Sequence, residues 1–335
     1  MQQPLVSILI PFKNVEAYFQ ECLQSIVVQT YKNWEVIAVD DHSTDKSASI
    51  IKEYTNKDFR LKVLKNQGVG IISALQLAYT NCKGELITRM DSDDVMTPNK
   101  LAVMVDSLLQ NGKGYLSVGQ VKYFSHRGIS NGYDRYEKWL NKLTSAGNNY
   151  SEIYKECVIP SPCWMAHRSD FELVDGFNPN RYPEDYDLAF RFYKHNLKCI
   201  PSNSILHHWR DYDTRTSRTS EHYAQNYFLD IKLHYFLELD AGVNRPLVVW
   251  GAGNKGKAIA KNLVAKKIKF HWLCDNPNKI GKKIYGVVLQ HFSKLENITN
   301  SQSIITVANA EAQVFIRKEL AQLNLKPNDD YFFFC

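Results

Sequence analysis

The residues best suited to do chemistry form a cluster of three aspartates and one serine, Asp91, Ser92, Asp93 and Asp94. The cluster follows an apolar run at 85–90 and precedes Pro98, where a helical pattern begins. Two carboxylates one residue apart on a turn can converge on one hard cation, or on the sugar and phosphate groups around it. The same residues also suit a turn and a helix N-cap. Alone, the cluster favours that second interpretation, because most short acidic motifs arise by chance.

Strands that alternate with helices position this cluster. We predict strands at 5–10, 34–39, 61–64 and 86–90, with helices between them, one of them at 73–79. This order predicts an α/β fold with a mostly parallel sheet and helices on both faces. Such sheets bind ligands at the carboxyl ends of their strands. Pro11 and Phe12, Asp40 and Asp41, and the Asp91 cluster all follow strands, so together they predict one site.

The remainder of the chain predicts a second, smaller domain. The pattern loosens between 112 and 218, where we predict a helix at 185–195, and a helix with an aromatic packing face follows at 221–239. After Pro246 a new α/β unit begins, with strands at 247–250, 270–274, 304–308 and 331–334 and a helix at 257–265. We therefore predict three segments: a first domain at 1–220, a helical connector at 221–245 and an accessory domain at 246–335.

A glycine-rich turn opens the accessory domain. Gly251, Gly253 and Gly256 form a G-x-G-x-x-G sequence between a strand and a helix, and Asp275 ends the next strand. This spacing resembles a nucleotide-binding Rossmann half, in which the acidic residue binds a ribose. The glycines equally permit tight packing of the helix on its strand. We favour a degenerate Rossmann-like accessory domain and expect no NAD(P) requirement.

Composition describes a soluble globular protein. The 335 residues are 44% hydrophobic and 23% charged, with a formal net charge of +6. This mild excess suits an anionic small substrate or weak attraction to an acidic membrane face, argues against nucleic-acid binding, and is explained most simply by solubility. Seven cysteines show no CxxC or zinc spacing, and no apolar stretch has the length of a bilayer span. We expect the protein to be located in the cytoplasm, including the inner face of the membrane.

Six motifs in order give the chain its family resemblance. They are residues 6–14 (VSILIPFKN), 39–45 (VDDHSTD), 66–68 (NQG), 89–94 (RMDSDD), 176–187 with its GF and PEDYD portions, and 206–210 (LHHWR). Each is weak alone, but the order and spacing are specific. Across about residues 4–220 the chain resembles the family 2 glycosyltransferases, the inverting GT-A class that uses nucleotide-diphosphate sugars.

The resemblance implies a donor-binding set. Its members come from the strand-end motifs and are Pro11, Phe12, Asn14, Asp41, Asn66, Gly68, Arg89, Asp91, Ser92 and Arg210. Asp41 is expected to accept a hydrogen bond from the nucleobase, with Pro11 and Phe12 lining the base pocket, and Asp91 to lie near the ribose and sugar. Alternatively, Asp41 only makes an Asx turn, a role that Asp45 or Ser43 could fill instead.

The resemblance also implies a divalent metal. Asp93 is the expected ligand of Mn²⁺ or Mg²⁺, which suit oxygen ligands, and His208 or His207 could add a further metal or diphosphate contact. Most lone histidines are structural, so that role stays open. Arg215 and Arg218 suit either a loop that folds over the donor or a solvated linker.

The third implied role is a base that takes the acceptor hydroxyl proton during inversion. Glu184 and Asp185 follow Pro183 and match the acidic pair of the family. We expect Asp185 to be the base, with Glu184 binding the acceptor or orienting Asp185. Alternatively, both only complement the positive end of a helix dipole.

These observations predict a metal-assisted inverting glycosyltransferase that moves a sugar from a nucleotide donor, with UDP favoured, to a saccharide or lipid-linked acceptor. One alternative is an inactive transferase-like nucleotide-binding or scaffold protein. Because the acidic cluster and the acidic pair are both present, we favour the enzyme. A nucleotide-sugar oxidoreductase would need a Tyr-x-x-x-Lys sequence or its equivalent, and none follows Gly256.

Overall fold

A computed structural model describes residues 3–215, 218 and 228–335. The chain divides into two compact units. The first contains the described residues up to Tyr150 together with Val158–Arg215. The second contains Ser151–Cys157 together with the described residues after Arg215. The domain limits at 220 and 245 remain predictions, and the short segment Ser151–Cys157 belongs to the second unit although it lies within the predicted first domain.

The first unit alternates strands and helices over most of its length. Its elements are β1 (Val6–Phe12), α1 (Phe19–Val27), β2 (Trp34–Asp40), α2 (Ser47–Thr55), β3 (Leu61–Lys65), α3 (Ile71–Thr80), β4 (Leu86–Arg89), β5 (Val95–Met96), α4 (Lys100–Asn111), β6 (Tyr115–Val118), β7 (Gln120–Phe124), α5 (Asn131–Ala146), β8 (Trp164–His167), α6 (Arg168–Leu173), α7 (Glu184–Lys194), β9 (Lys198–Ile200) and β10 (Ile205–Arg210). A 3₁₀ turn covers Asn149–Glu152.

A seven-stranded sheet organises this unit in the order β3-β2-β1-β4-β8-β6-β9. The first four strands of that order are parallel, and β8 runs antiparallel to both of its neighbours. All seven residues of β1 are buried, as expected for the central strand of a sheet that is covered on both faces. The predicted mostly parallel α/β fold is therefore confirmed.

The predicted end of the first strand at Pro11 is wrong, because β1 continues to Phe12. Proline is tolerated there because the pairing with β4 stops at Leu9, which leaves that side of the strand without a hydrogen bond to lose. The described residues of 112–218, where the sequence showed no clear period, supply five strands, of which β6, β8 and β9 complete the seven-stranded sheet.

A separate three-stranded sheet has the order β5-β10-β7. Its strand β5 follows the acidic cluster directly in the sequence. Strand β10 pairs antiparallel with β5, which follows Asp94 directly, and places His207 opposite Met96 and His208 opposite Val95. This register brings the LHHWR motif next to the acidic cluster although more than a hundred residues separate them.

The second unit contains another α/β sheet. Its elements are α8 (Leu229–Tyr235), a π-helical turn (Phe236–Asp240), β11 (Leu247–Trp250), α9 (Asn254–Ala265), β12 (Phe270–Cys274), β13 (Lys283–Ile284), β14 (Val287–His291), a 3₁₀ turn (Phe292–Asn297), β15 (Gln302–Ile305), α10 (Ala310–Gln322) and β16 (Tyr331–Phe333). The strand order is β13-β14-β12-β11-β15-β16, parallel except for the edge strand β13.

The predicted helix at 221–239 corresponds to α8 and the π-helical turn, and its portion at 221–227 lies outside the described residues. Strands β11 and β12 have the predicted bounds. Over the described ranges 3–215, 218 and 228–335, the longest apolar helix falls short of a bilayer span.

Candidate functional site

Asp41 lies in a buried cluster at the carboxyl ends of β1, β2 and β3. Its backbone N–H donates to the Phe12 carbonyl (2.8 Å), which joins the ends of β1 and β2. Its side chain accepts hydrogen bonds from Asn66 Nδ2 (2.7 Å) and from the Gly70 N–H (3.0 Å). Lys13 Nζ lies 3.9 Å from the second carboxylate oxygen. The Asp41 carboxylate is therefore fixed by residues of neighbouring strand ends.

Asp40 and Asp45 make the local turns at this edge. Asp40 Oδ1 accepts from the Ser43 N–H (2.8 Å), and Asp45 Oδ1 accepts from the Ser47 N–H (2.9 Å) at the start of α2. Asp41 makes neither contact, so the alternative of an Asx turn at Asp41 finds no support in these hydrogen bonds.

Four other residues predicted to bind the donor lie close to Asp41 in the chain order of the motifs but have different environments. Pro11 and Phe12 are buried, and the Phe12 ring packs 4.7 Å from that of Phe19 in the core. Asn14 is exposed, and its Oδ1 accepts from the Thr44 N–H (2.8 Å). The Gly68 carbonyl is hydrogen-bonded to the His42 ring (2.8 Å). Asn14 and Gly68 therefore shape the loops around Asp41.

Arg89 connects the acidic cluster to the acidic pair. Its guanidinium donates to Asp91 Oδ1 through Nε (3.1 Å) and a terminal nitrogen (2.9 Å), and to Glu184 Oε1 through the other terminal nitrogen (2.8 Å). Burial alone would lower the pKa of Arg89. The negative charges of Asp91 and Glu184 outweigh this effect and raise the pKa above its usual value. The structure thus brings two motifs that are far apart in the chain into one site, in which Glu184 is ion-paired.

Asp185 begins α7 beside Glu184 but has a different environment. It is half-buried, and its Oδ1 accepts from the Tyr186 N–H (2.8 Å). Burial and the neighbouring Glu184 carboxylate raise the pKa of Asp185 to about 7, against the opposing effect of Arg89. A carboxyl group with that pKa can accept a proton near neutral pH, which is the property that a general base needs.

Asp94, the last residue of the acidic cluster, forms a buried network with His207. His207 Nε2 lies 3.0 Å from Asp94 Oδ2, and the Arg210 N–H donates to Asp94 Oδ1 (2.8 Å). On the other side of the ring, Lys100 Nζ lies 3.3 Å from His207 Nδ1. Burial and the nearby Lys100 hold the pKa of His207 well below its usual range. Both nitrogens of a neutral His207 ring are thus already engaged by side chains of the protein.

Asp93 has different partners from Asp94. The Tyr212 hydroxyl donates to Asp93 Oδ2 (2.9 Å), and Arg210 Nε donates to the Asp93 carbonyl (2.7 Å). Burial and the adjacent Asp94 raise the pKa of Asp93 to about 7. Ser92 between the two predicted donor-site aspartates is buried.

Arg210 is largely enclosed by protein. Its guanidinium lies over the rings of Tyr18 (4.8 Å) and Phe124 (4.5 Å) and pairs with Glu21 (2.5 Å). His208, on the same strand, is half-buried and meets the Phe124 ring edge-on at 6.2 Å. Arg210 therefore lies against Asp93 and already has a carboxylate partner, whereas His208 lies opposite Val95, two residues after Asp93.

Arg215 lies over the rings of Tyr123 (5.8 Å) and Trp209 (5.7 Å), which is a packed environment and not that of a solvated linker. Arg218 is exposed. The segment after β10 thus places Tyr212 and Arg215 beside the acidic cluster. The sequence analysis missed Tyr212 and Lys100, of which only Tyr212 had a signal, its proximity to the LHHWR motif, and it gave Asp94 no role apart from the cluster.

The oxygen donors fit a hard divalent cation in part. Asp91 and Asp93 supply carboxylates, the ligands that Mg²⁺ and Mn²⁺ prefer. Within the described part of the chain, no three His, Cys, Asp or Glu side chains are grouped so as to hold a metal ion. The residues present therefore fit a cation whose coordination is completed by oxygens of a bound phosphate.

The glycine-rich turn of the second unit is tightly packed. Gly251 has φ +125°, and a Cβ atom there would collide with Thr306 Oγ1. A Cβ atom at Gly256 would collide with the Gly251 carbonyl oxygen, whereas one at Gly253 would meet open space. Asp275 is exposed after β12. The geometry accounts for Gly251 and Gly256 by packing alone, without a bound nucleotide.

Comparisons with known proteins identify the family of this chain. The family model for Glycosyl transferase family 2 matches residues 7–174. Glycosyltransferase GlyA of Streptococcus pneumoniae is 39% identical over 211 residues, which cover 61% of this chain and 30% of GlyA. WfgD of Escherichia coli, a UDP-Glc:alpha-D-GlcNAc-diphosphoundecaprenol beta-1,3-glucosyltransferase, is 28% identical over 213 residues, covering 63% of this chain and 78% of WfgD.

A solved structure shares the fold. Mannosyltransferase PcManGT from Pyrobaculum calidifontis, in complex with GDP-Man and Mn²⁺, aligns with a TM-score of 0.53 at 17% identity, over 98% of this chain and 82% of PcManGT. The family match covers half of the chain and lies within the segment whose motifs predicted it. The chain belongs to the family 2 glycosyl transferases.

Proposed function

We propose that this protein transfers a sugar from a nucleotide-diphosphate sugar to a saccharide or lipid-linked acceptor, with inversion at the anomeric carbon. The observation that carries the proposal is Arg89, which bonds both Asp91 and Glu184. Because one guanidinium contacts both the acidic cluster and the acidic pair, the bridge supports a single site in which a donor and a base meet. A protein that only bound nucleotides would not need the second acidic motif there.

The Asp41 cluster supports a role in nucleobase binding. Asp41 Oδ1 accepts hydrogen bonds from both Asn66 and Gly70, whereas Oδ2 shares the Gly70 N–H (3.1 Å) and keeps a lone pair for a base N–H. The name of WfgD gives UDP-Glc as its donor, and we propose a UDP-sugar for this chain as well.

A divalent cation fits the same site. Asp93 would hold Mn²⁺ or Mg²⁺, with His208 as the candidate second ligand, and PcManGT was solved with Mn²⁺. A bound cation would neutralise the charge that develops on the nucleoside diphosphate as it leaves. Arg89 fixes Asp91, and Tyr212 fixes Asp93, so both carboxylates are held in place before the donor binds.

Asp185 is the proposed base. As the acceptor oxygen bonds to the anomeric carbon, the bond from that carbon to the diphosphate breaks, and the hydroxyl proton passes to the Asp185 carboxylate. Glu184 cannot easily share this task because Arg89 occupies it. Its proposed role is to hold Arg89 and to keep the neighbouring Asp185 above its usual pKa.

The reducing cytoplasm is the proposed location, and all seven cysteines are free thiols in support of it. NAD(P) has no part in the proposed reaction, because no hydride is transferred.

Thermal stabilisation by nucleotide sugars tests the proposal. We expect UDP-sugars with Mn²⁺ to raise the melting temperature more than the same sugars with EDTA or Mn²⁺ alone, since ligands stabilise the state that binds them. Release of UDP in the presence of a saccharide or diphosphate-lipid acceptor should follow for the stabilising donor. If no nucleotide sugar shifts the melting temperature, the donor proposal is wrong.

A further inference from the structure

The positive charge of the chain is concentrated in one segment. Residues 255–294 contain ten lysines, no arginine and one acidic residue, Asp275. The segment therefore carries a formal charge of +9, and the rest of the chain carries −3, which together give the total of +6. The excess of basic over acidic residues is thus not spread evenly along the chain, and it lies in and around α9, β12, β13 and β14.

Most of these lysines face solvent without a partner. Seven are exposed, and none of the seven makes an ion pair or side-chain hydrogen bond with another described residue: Lys261, Lys266, Lys267, Lys269, Lys282, Lys283 and Lys294. An uncompensated cluster of like charges costs stability through mutual repulsion, so its presence calls for a reason.

The register of β12, β13 and β14 places several of these exposed lysines together at the edge of the sheet. Lys266, Lys267 and Lys269 lie in the turn that leads into β12, and Lys283 pairs with Val288 of β14. Because Trp272 of β12 pairs with Leu289, Val288 lies level with the start of β12, just beyond Lys269. We call the surface formed by Lys266, Lys267, Lys269, Lys282, Lys283, Tyr285 and Val288 the basic edge.

Two apolar side chains accompany the lysines of the basic edge. Tyr285 is 46% exposed, and Val288 is 48% exposed. The Tyr285 ring stacks on Trp272 with centroids 6.3 Å apart, so it is held in place rather than folded away. Lysines on an edge strand also discourage strand pairing between molecules, which would explain Lys282 and Lys283. It would not explain the three lysines of the turn before β12.

We propose that the basic edge is a docking surface for an anionic lipid bilayer. Several clustered lysines bind acidic headgroups by summing weak attractions, and an aromatic ring with a neighbouring apolar side chain can enter the interface between headgroups and acyl chains. The inference does not depend on the proposed transferase activity. It is compatible with that activity because a lipid-linked acceptor, of the kind named for WfgD, would be present at such a surface.

The composition of the basic edge favours lipid over nucleic acid. Arginine supplies most of the bidentate contacts to phosphates and bases, and residues 255–294 contain none. Lysine acts as a point charge, which matches a fluid layer of headgroups with no fixed geometry. The exposed Tyr285 and Val288 add contact with a partner that has an apolar interior, which nucleic acids and acidic polysaccharides lack.

Vesicle sedimentation of the full chain tests this inference. We expect binding to vesicles of equal parts phosphatidylglycerol and phosphatidylcholine, no binding to phosphatidylcholine alone, and loss of binding as salt is raised. The variant Lys266→Glu/Lys267→Glu/Lys269→Glu should bind the anionic vesicles at least about tenfold more weakly. Val288→Ser should weaken vesicle binding by about threefold while leaving binding to duplex DNA unchanged.

A matched control separates the basic edge from net charge. Lys52→Glu/Lys57→Glu/Lys113→Glu changes the same number of exposed lysines in the first unit and should retain full vesicle binding. Equal losses in the two triple variants would overturn the proposal, as would an absence of binding to anionic vesicles at low salt. If DNA or dextran sulfate binds more tightly than the vesicles and Val288→Ser has no effect on vesicle binding, the surface recognises polyanions in general and the lipid assignment is wrong.

Discussion

Glu184 and Asp185 are neighbours in the chain with opposite surroundings. Glu184 is buried and paired to Arg89, whereas Asp185 is half-buried and accepts a hydrogen bond from the Tyr186 N–H. Successive residues of a helix point about 100° apart, so one carboxylate can face an internal cation while the next faces the site. This difference favours Asp185 as the proposed base and Glu184 as the partner of Arg89.

Asp185→Asn should lower transfer by roughly two to four orders of magnitude, because it removes the base and keeps the shape of the side chain. Donor affinity measured by calorimetry should stay within about threefold of wild type. Glu184→Gln is the comparison variant, and we expect it to disturb Arg89 and weaken donor binding. Full turnover in Asp185→Asn together with an inactive Glu184→Gln would move the base to Glu184.

The raised pKa of Asp185 also predicts a pH dependence. Since burial and Glu184 raise the pKa of this carboxyl to about 7, kcat/KM should fall as the pH drops below about 7, with the base protonated on the acid side. An activity profile that is flat from pH 5 to pH 8, which spans that value, would contradict Asp185 as the base.

The contribution of Asp185 to folding stability should have the opposite pH dependence to kcat/KM and should increase as the pH drops. A carboxyl whose pKa is higher in the folded state than in the unfolded state favours folding when protonated, so Asp185 destabilises the native protein increasingly as pH rises from about 4 to about 7. Asp185→Asn should therefore melt at a higher temperature than wild type at pH values above that range, and the difference should vanish below it.

Asp93→Asn should remove Mn²⁺-dependent donor binding without unfolding the protein. The substitution keeps a hydrogen bond from Tyr212 but removes the charge that a cation needs. Tyr212→Phe is the control, because it deletes that hydrogen bond and leaves the carboxylate intact. Calorimetry with a stabilising UDP-sugar checks both variants, and donor binding by Asp93→Asn as tight as wild type in Mn²⁺ would refute the metal assignment.

At the scale of elements, the turn between β11 and α9 shows how packing can imitate a binding motif. Gly251 and Gly256 face each other and Thr306, so this helix approaches its strand closely only with glycine at both positions. Gly253 has open space around it and is free of that constraint. Packing therefore requires glycine at positions 251 and 256 but not at position 253.

Gly256→Ala should destabilise the second unit by about 1–3 kcal/mol, because the added methyl group would overlap the Gly251 carbonyl. Gly253→Ala, the matched control, should change the free energy of unfolding by less than about 1 kcal/mol. Urea unfolding followed by circular dichroism measures both. A stable Gly256→Ala variant that has lost affinity for a nucleotide would instead indicate a binding turn.

At the scale of the whole molecule, the segment Ser151–Cys157 complicates any simple cut between the units. Tyr154 is buried and stacks on Phe334 with centroids 5.2 Å apart and rings nearly parallel, and it meets Phe332 edge-on. Lys232 Nζ is also buried and donates to the Lys155 carbonyl (2.9 Å). Residues from the middle of the chain thus complete the core of the second unit.

A chain shortened to residues 1–240 should therefore aggregate, even though every proposed catalytic residue precedes its end. The cut removes Phe332 and Phe334 and leaves Tyr154 without its ring partners, and exposed aromatic surface promotes association. Adding Tyr154→Ser to the shortened chain should reduce that aggregation in size-exclusion chromatography with light scattering. A monodisperse 1–240 chain that transfers sugar as fast as the full protein would show that Tyr154 does not need its partners.

The sequence by itself determined the features that depend on short-range pattern. Apolar runs located β1, β2, β3, β4, β11 and β12, because a buried parallel strand is recognisable from a few consecutive residues. The order of the motifs determined the family, which the match over residues 7–174 confirms. The sequence also predicted an acidic site. The acidic motifs follow strands, and the carboxyl ends of parallel strands lie at the same edge of a sheet whatever their distance in the chain.

Tertiary structure alone decided which side chains meet. Arg89 and Glu184, His207 and Asp94, and Tyr212 and Asp93 are each separated by about a hundred residues, and a hydrogen bond of 3 Å depends on rotamers that no local pattern specifies. The same limit explains why His207 and not His208 contacts the acidic cluster, because the register of β10 against β5 sets the face on which each lies. It also explains why Tyr154 joins the second unit: burial of an aromatic ring is decided by the partners available in space, not by its position in the chain.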